Sequence, residues 1–151
     1  MKYKIIIING PNLNLLGSRE TEIYGKEDYQ NIIKRLTQYS LTNGFELIEK
    51  QSNHEGEIID WIQEIHQDND FIAVIINPAA YTHTSIAILD ALKLLTIPII
   101  EIHISNPEER EEYRKFSFVS EVAKIKIQGE GVNGYFKAID KIKALLTNEP
   151  Q

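Results

Sequence analysis

Side chains able to do acid–base chemistry are concentrated where the apolar segments of this 151-residue chain end. Three of the four histidines, His54, His83 and His103, follow such segments, and Asn9 and Asn77 come directly after two of the apolar runs. Asparagine is an ordinary turn residue, whereas histidine is not a preferred one. An imidazole titrates near neutral pH and serves as a general acid, a base or a metal ligand. The positions therefore predict a site for a small polyhydroxylated or carboxylated ligand held by many neutral hydrogen bonds.

A long segment from Asn9 to Gly25, with no clear period, carries a guanidinium at Arg19 and a phenol at Tyr24. It follows an isoleucine run typical of a buried parallel strand. Long loops in compact domains are often functional lids, and ligands of open α/β sheets bind beyond the carboxyl ends of the strands. The segment is therefore predicted to be a flap over the site. A surface loop whose tyrosine only packs on the body is the alternative.

Five strand-like runs alternate with helical patterns and must position these side chains. The predicted strands are Tyr3–Ile8, Phe45–Gln51, Phe71–Ile76, Ile97–Ile102 and Val122–Ile127. The predicted helices are Asp28–Thr42, one opened by a capping box of Ser52 and Glu55, Ser85–Leu95, a short charged one from Asn106 to Arg114, and Val132–Leu146. This alternation predicts a flavodoxin-like three-layer α/β sandwich, a five-stranded parallel sheet of order 2-1-3-4-5 with helices on both faces. One domain is expected over residues 1–147, with a loose tail at 148–151.

Several chemistries are disfavoured by missing patterns. The chain has no Gly-x-Ser-x-Gly element for a serine hydrolase and no His-Glu-x-x-His element for zinc. Residues 129–134 fit G-x-G-x-x-G, but they open the last βα unit, where a tight turn is the better interpretation. A phosphorylated receiver domain needs aspartate where Asn77 stands. A non-catalytic module that binds FMN or a nucleotide stays open, because the fold permits it and Tyr81 could stack on a ring.

Composition narrows the class of protein further. The hydrophobic content of 42% suits a globular core, and a net charge of −6 without a basic block argues against nucleic acid. The absence of cysteine excludes disulfides and thiolate sites and is compatible with the cytosol. No run approaches the ~20 apolar residues that span a bilayer. We therefore expect a cytoplasmic protein with a small-molecule ligand.

Four segments of the chain read GPNLNLLGSRETEIYG, QSNHEGEIIDWI, INPAAYTHTSIAILDAL and EIHISNPEEREEYRKFS. Together they resemble the type II 3-dehydroquinate dehydratases, and the resemblance covers nearly the whole chain. The resemblance implies the flavodoxin-like fold and the dehydration of 3-dehydroquinate to 3-dehydroshikimate in the shikimate pathway. It also implies that the enzyme uses no cofactor or metal and assembles as a dodecamer built from trimers. Whether the role is biosynthetic or serves quinate breakdown stays open.

The same resemblance implies roles for individual residues. Tyr24 is expected to be the base that removes the proton α to the ketone, activated by Arg19, with Asn12 holding a water that stabilises the enolate. His103 is expected to protonate the departing hydroxyl, with Glu101 orienting it. The expected substrate ligands are Asn77, His83, Ile104, Ser105 and Arg114, and Asp90 is expected to reach a neighbouring subunit's site. Lys124 departs from the family, since a small residue is expected before the last strand.

Overall fold

A computed structural model describes residues 3–18, 21–24 and 26–147, and for Thr21 and Tyr24 the backbone alone. Five strands form one parallel sheet of order β2-β1-β3-β4-β5. The strands are β1 (Tyr3–Asn9), β2 (Phe45–Gln51), β3 (Phe71–Asn77), β4 (Ile99–His103) and β5 (Ile125–Gln128). The predicted strand order is confirmed. The tail at 148–151 and Arg19 lie outside the described residues.

Helices cover both faces of this sheet. They are α1 (Thr21–Tyr24), α2 (Tyr29–Thr42), α3 (Glu55–His66), α4 (Ile86–Leu92) and α5 (Asn133–Thr147). Residues 5–8 of β1 alternate between two cores, because successive strand side chains point to opposite faces. Ile5 and Ile7 pack in the core with α2 and α5, whereas Ile6 and Ile8 pack in the core with α3 and α4. The three-layer sandwich predicted from the sequence is therefore confirmed.

Several predicted boundaries were wrong for local reasons. Ser52 and Glu55 do not form a capping box, because the Ser52 hydroxyl accepts from the His54 N–H (2.9 Å) and Glu55 is already the first residue of α3. The charged helix expected through Arg114 is instead two 3₁₀ turns, Pro107–Glu109 and Glu112–Arg114. The strands predicted from Ile97 and Val122 begin later, at Ile99 and Ile125, and the helix predicted to Leu95 ends at Leu92.

The turn at residues 129–134 has the tight geometry expected from its glycines. Gly129 and Gly131 adopt φ of +76° and +59°, values that favour glycine. A Cβ on Gly129 would lie 3.2 Å from Asn106 Cβ, so the turn also packs closely on the loop after β4. Lys124, just before β5, has an exposed side chain and donates its N–H to the Ile99 carbonyl (2.8 Å). It therefore adds a normal sheet-edge contact where a small residue was expected.

Candidate active site

A cleft opens at the carboxyl ends of β1, β3 and β4, the edge where the sequence predicts a site. Its lining includes seven residues singled out from the sequence, namely Asn12, Asn77, His83, His103, Ile104, Ser105 and Arg114. Parallel strands end at one edge, so residues far apart in sequence meet there. The lining also includes Arg110, which sequence reasoning missed. The signal for it was available, since Arg110 stands in the same charged segment as Arg114.

His103 and Glu101 form a buried pair at the end of β4. His103 Nε2 lies 2.5 Å from a carboxylate oxygen of Glu101, whose side chain is fully buried. The hydroxyls of Ser117 and Ser120 donate to the two carboxylate oxygens at 2.6 Å each. Burial by itself raises the pKa of Glu101, but the hydrogen bonds from His103, Ser117 and Ser120 hold it below its ordinary value of 4.5. The carboxylate is therefore ionised at neutral pH.

This pairing determines which nitrogen of His103 is available for proton transfer. An ionised carboxylate can only accept hydrogen bonds, so Nε2 of His103 carries a proton and donates it to Glu101. Nδ1 is then the nitrogen that gains or loses a proton as the ring changes charge. The arrangement resembles the base and orienting-carboxylate pairs that fix an imidazole tautomer in enzymes. His103 can therefore act as an acid without turning its ring.

His83 has the opposite arrangement of ring protons to His103, with Nδ1 as the donor and Nε2 as the acceptor of a neutral ring. Its Nδ1 lies 2.7 Å from the Phe116 carbonyl oxygen, which only accepts, so Nδ1 carries the proton. Burial lowers the pKa of His83 below its ordinary value of 6.5, and the nearby charges of His103 and Arg114 lower it further, against the raising effect of the Phe116 hydrogen bond. At neutral pH its Nε2 therefore bears a lone pair, which suits a hydroxyl donor on a ligand.

Two strained residues, Asn12 and Ala79, line the cleft. They are the only non-glycine residues with positive φ in the described parts of the chain, at +72° and +54°. Asn53 Oδ1 accepts the backbone N–H of Asn12 (3.0 Å), and Asn77 Oδ1 accepts that of Ala79 (3.1 Å). Such strain costs about 1–3 kcal/mol per residue and persists where surrounding contacts enforce it. Asn53, in the turn after β2, and Asn77, the last residue of β3, thus hold the two bends at the cleft.

Two arginines give the cleft positive charge at its outer side. Arg114 donates from Nε to Glu111 (2.7 Å), and Arg110 Nε lies 4.0 Å from the same carboxylate. Guanidinium groups bind carboxylates with paired, directional hydrogen bonds. The carboxylate of Glu111 lies beside both guanidinium groups. The cleft therefore suits an anionic ligand bearing hydroxyl groups.

The other predicted site residues lie outside this group. Tyr24 ends α1, where the structure gives its backbone alone, and Arg19 falls outside the described residues. Asp90 is exposed on α4 and does not line the cleft. The Tyr81 hydroxyl donates to the Asn53 carbonyl (2.9 Å) and Tyr81 is likewise absent from the cleft lining, so the flavin-stacking role is not supported.

Among residues 3–18, 21–24 and 26–147, no group of three or more acidic, histidine or cysteine side chains is arranged to hold a metal ion. Among the same residues, no helix is both long and apolar enough to cross a membrane.

Comparison with known proteins gives one consistent result. The family model for dehydroquinase class II matches residues 3–143. A curated 3-dehydroquinate dehydratase of Lachnoclostridium phytofermentans is 52% identical over 139 residues, covering 92% of this chain and 95% of that protein. One from a Caulobacter species is 46% identical over 146 residues, covering 97% and 98%. The crystal structure of a type II dehydroquinase from Butyrivibrio crossotus matches with a TM-score of 0.90 at 48% identity, covering 93% and 97%.

Proposed function

The chain belongs to the class II dehydroquinase family and dehydrates 3-dehydroquinate to 3-dehydroshikimate, and we propose that this reaction takes place in the cleft around His103. The observation that carries this assignment is the buried His103–Glu101 pair, at 2.5 Å, in a cleft that also contains Arg110 and Arg114. Elimination of water from a β-hydroxy ketone needs a base for the carbon acid, an acid for the departing hydroxyl and a binding site for the carboxylate.

The acid step follows from the geometry of the pair. We assign the proton of His103 Nδ1 to the departing hydroxyl, which leaves as water when its carbon–oxygen bond breaks. The electron pair of the enolate then forms the new double bond. His103 ends as a neutral ring. Its Nε2 keeps its proton and still donates the hydrogen bond to Glu101. Because Glu101 remains ionised throughout, it stabilises the charged ring without taking part in the transfer.

The base step rests on Tyr24 and Arg19, which the family resemblance implies. The ordinary pKa of a tyrosine is about 10, so an unassisted phenol is a poor base at neutral pH. A guanidinium close to the phenolate lowers that pKa. We propose that Tyr24 removes the proton α to the ketone and that Arg19 lowers the pKa of Tyr24, so that its phenolate can form near neutral pH. We also propose that Asn12 holds the water that stabilises the enolate.

Substrate recognition is assigned to groups around the same cleft. His83 Nε2 accepts from a hydroxyl, Asn77 and the Ile104–Ser105 segment bind further oxygens, and Arg114 binds the carboxylate. The lowered pKa of His83 supports its acceptor role, since the neutral ring has a lone pair on Nε2. Arg110 adds a second positive charge near the carboxylate.

The direct test is to follow the ultraviolet absorbance of the conjugated enone after adding 3-dehydroquinate to the purified protein. The wild type should form product, and His103→Ala should lose most of its kcat. Treatment with a chelator, or with borohydride in the presence of substrate, should leave the activity intact, because the proposed reaction uses neither a metal nor an imine. Product formation that survives intact in His103→Ala would remove the cleft from the mechanism.

Arg19 and Tyr24 can be separated by pH. Tyr24→Phe removes the proton acceptor, so kcat should collapse at every pH. Arg19→Ala keeps the phenol but returns its pKa toward about 10, so kcat should be low near pH 7 and recover partly as the pH rises. Arg114→Ala is the matched control, since it should raise KM and leave the pH profile in place. A loss in Arg19→Ala that does not depend on pH would assign Arg19 to lid closure or substrate binding alone.

We also propose a cytoplasmic homododecamer built from trimers, in which Asp90 completes a neighbouring site. The exposed face of α4 and the residues after it support an interface, since Ile86 and Leu94 are 56% and 44% exposed near Asp90. Light scattering should give a particle of twelve chains, and Asp90→Ala should lower activity without unfolding the subunit. A fully active monomer would contradict this assignment.

A further inference from the structure

A line of hydrogen bonds runs from the cleft to Glu49 in β2, the edge strand of the sheet. The Asn77 Nδ2 group donates to the Tyr135 hydroxyl (3.1 Å), which donates to Asn9 Oδ1 (2.6 Å). The Asn9 Nδ2 group donates to the Tyr29 hydroxyl (3.1 Å), which donates to the carboxylate of Glu49. Asn77, Tyr135, Asn9 and Tyr29 are each at most 6% exposed. We name these five residues the Asn77–Glu49 chain.

The chain has a single possible direction, set at its Glu49 end. An ionised carboxylate only accepts, so the Tyr29 hydroxyl gives its one proton to Glu49 and must accept from Asn9. The amide of Asn9 therefore turns its NH₂ toward Tyr29 and its oxygen toward Tyr135. The Tyr135 hydroxyl then donates its one hydrogen bond to Asn9. Its oxygen can still accept a hydrogen bond, and the NH₂ group of Asn77 donates it.

The other end of the Asn77 amide is held independently. Asn77 Oδ1 accepts the N–H of Ala79 (3.1 Å), one of the strained residues of the cleft. The oxygen and one N–H of the amide are thus both committed, and the second N–H is the group that remains for a ligand in the cleft. An Asn77 amide rotated by 180° would present its oxygen to the cleft. It would leave the Ala79 N–H without its acceptor and the Tyr135 hydroxyl without the hydrogen bond that it accepts.

Both phenols keep their protons under ordinary conditions. Burial raises the pKa of Tyr29, and its hydrogen bond to Glu49 raises it further. Burial likewise raises the pKa of Tyr135, against the lowering effect of its hydrogen bond with Asn77. Each hydroxyl therefore stays a protonated donor at neutral pH.

We propose that Tyr135 is a positioning residue that, through this chain, holds the Asn77 amide with an N–H presented to an acceptor oxygen of the substrate. The inference rests on the proposed function, in which Asn77 binds substrate. Tyr135 lies behind Asn77 and is 2% exposed, so it acts on the substrate only through Asn77. The site then selects a ligand with an oxygen lone pair at that point.

Tyr135→Phe removes the acceptor for Asn77 and the donor for Asn9 while keeping the ring. We expect KM for 3-dehydroquinate to rise about tenfold, with kcat changed by less than about threefold, because the lost interaction is one of binding. The pH profile of kcat should stay where it is in the wild type, since neither the proposed base nor the proposed acid is altered. Tyr29→Phe, two links further away, should raise KM in the same direction by a smaller factor.

Tyr39→Phe is the matched control. Its hydroxyl also donates from α2 to a carboxylate, that of Asp140 on α5 (2.5 Å), but it has no link to Asn77. It should leave KM and kcat at their wild-type values. Thermal unfolding of each variant should be followed in parallel, so that a KM change is compared only between folded proteins.

A double-mutant cycle with Asn77→Ala decides whether Tyr135 acts through Asn77. Asn77→Ala should raise KM by itself, and adding Tyr135→Phe should raise it no further. Additive effects, an unchanged KM in both tyrosine variants of the chain, or an equal rise in Tyr39→Phe would overturn the inference and leave the proposed function standing. An unchanged KM in Asn77→Ala would remove both the assignment of Asn77 and the inference.

Discussion

Glu101→Gln is the substitution that most directly tests how the buried pair works. Glutamine is nearly isosteric with glutamate and removes only the charge. Its amide oxygen can replace the carboxylate oxygen that accepts from His103 and Ser117, and its NH₂ can donate to the Ser120 hydroxyl, which can turn to accept. We therefore expect the variant to fold and to keep its KM.

The size of the effect on kcat follows from the charge of the acceptor. A hydrogen bond to a charged group contributes about 1.5–3 kcal/mol, whereas one between neutral groups contributes about 1 kcal/mol. The imidazolium of His103 should therefore lose about 0.5–2 kcal/mol of stabilisation. This loss corresponds to a fall in kcat of about 2- to 30-fold.

The assay is a set of kcat and KM values measured across pH by enone absorbance. Ser120→Ala is the matched control, because it removes one hydrogen bond of the same carboxylate (2.6 Å) and keeps the charge beside His103. It should lower kcat by less than about threefold. Wild-type kcat in Glu101→Gln at every pH, or an equal loss in Ser120→Ala, would refute the role given to the charge.

Three further predictions concern stability. The pKa of Glu101 is lowered in the folded state, so its contribution to the free energy of unfolding is complete above about pH 5 and is lost on acidification. In urea unfolding from about pH 5 to pH 3, the free energy of unfolding should therefore fall more steeply in the wild type than in Glu101→Gln. The lowered pKa of His83 likewise gives stability present above its unfolded value of 6.5 and lost below it, and His83→Gln should flatten that part of the profile. Gly10→Ala should destabilise by about 1–3 kcal/mol or more, because its Cβ would lie 2.4 Å from the Pro78 carbonyl oxygen, whereas Gly56→Ala in α3, with nothing within 4 Å, should be neutral or stabilising in the same denaturation assay.

The local pattern of apolar and polar residues was sufficient to predict the architecture of the chain. Apolar runs of strand length, separated by helical periods, determine that the central strands β1, β3 and β4 are buried on both faces and the longer helices on one. That pattern predicted the five strands and their order, and it predicted a site at the carboxyl edge, because the strands of a parallel sheet end together at one edge. The motifs around Tyr24, Asn77 and His103 carried the family, and their residue types are readable without coordinates.

Boundaries were less predictable, because they depend on which of several competing hydrogen bonds forms. Ser52 and Glu55 have the spacing of a capping box, yet the Ser52 hydroxyl bonds His54 and the Glu55 carboxylate accepts from Ser85 of the neighbouring βα unit. The segment 107–114 has helical composition but folds as two short 3₁₀ turns. For Glu55, a partner from elsewhere in the chain decides the outcome.

Only the tertiary structure decided how the site residues are held. Tyr135 and Asn9 are 126 positions apart in sequence, and Asn77 is 58 from Tyr135, so no periodicity relates them. The orientation of the Asn77 amide is set by the Ala79 N–H on one side and, through three intervening side chains, by Glu49 on the other. A sequence specifies which side chains can donate and accept, but the direction of a buried hydrogen bond is set only when all its neighbours are in place, because each hydroxyl has a single proton to give.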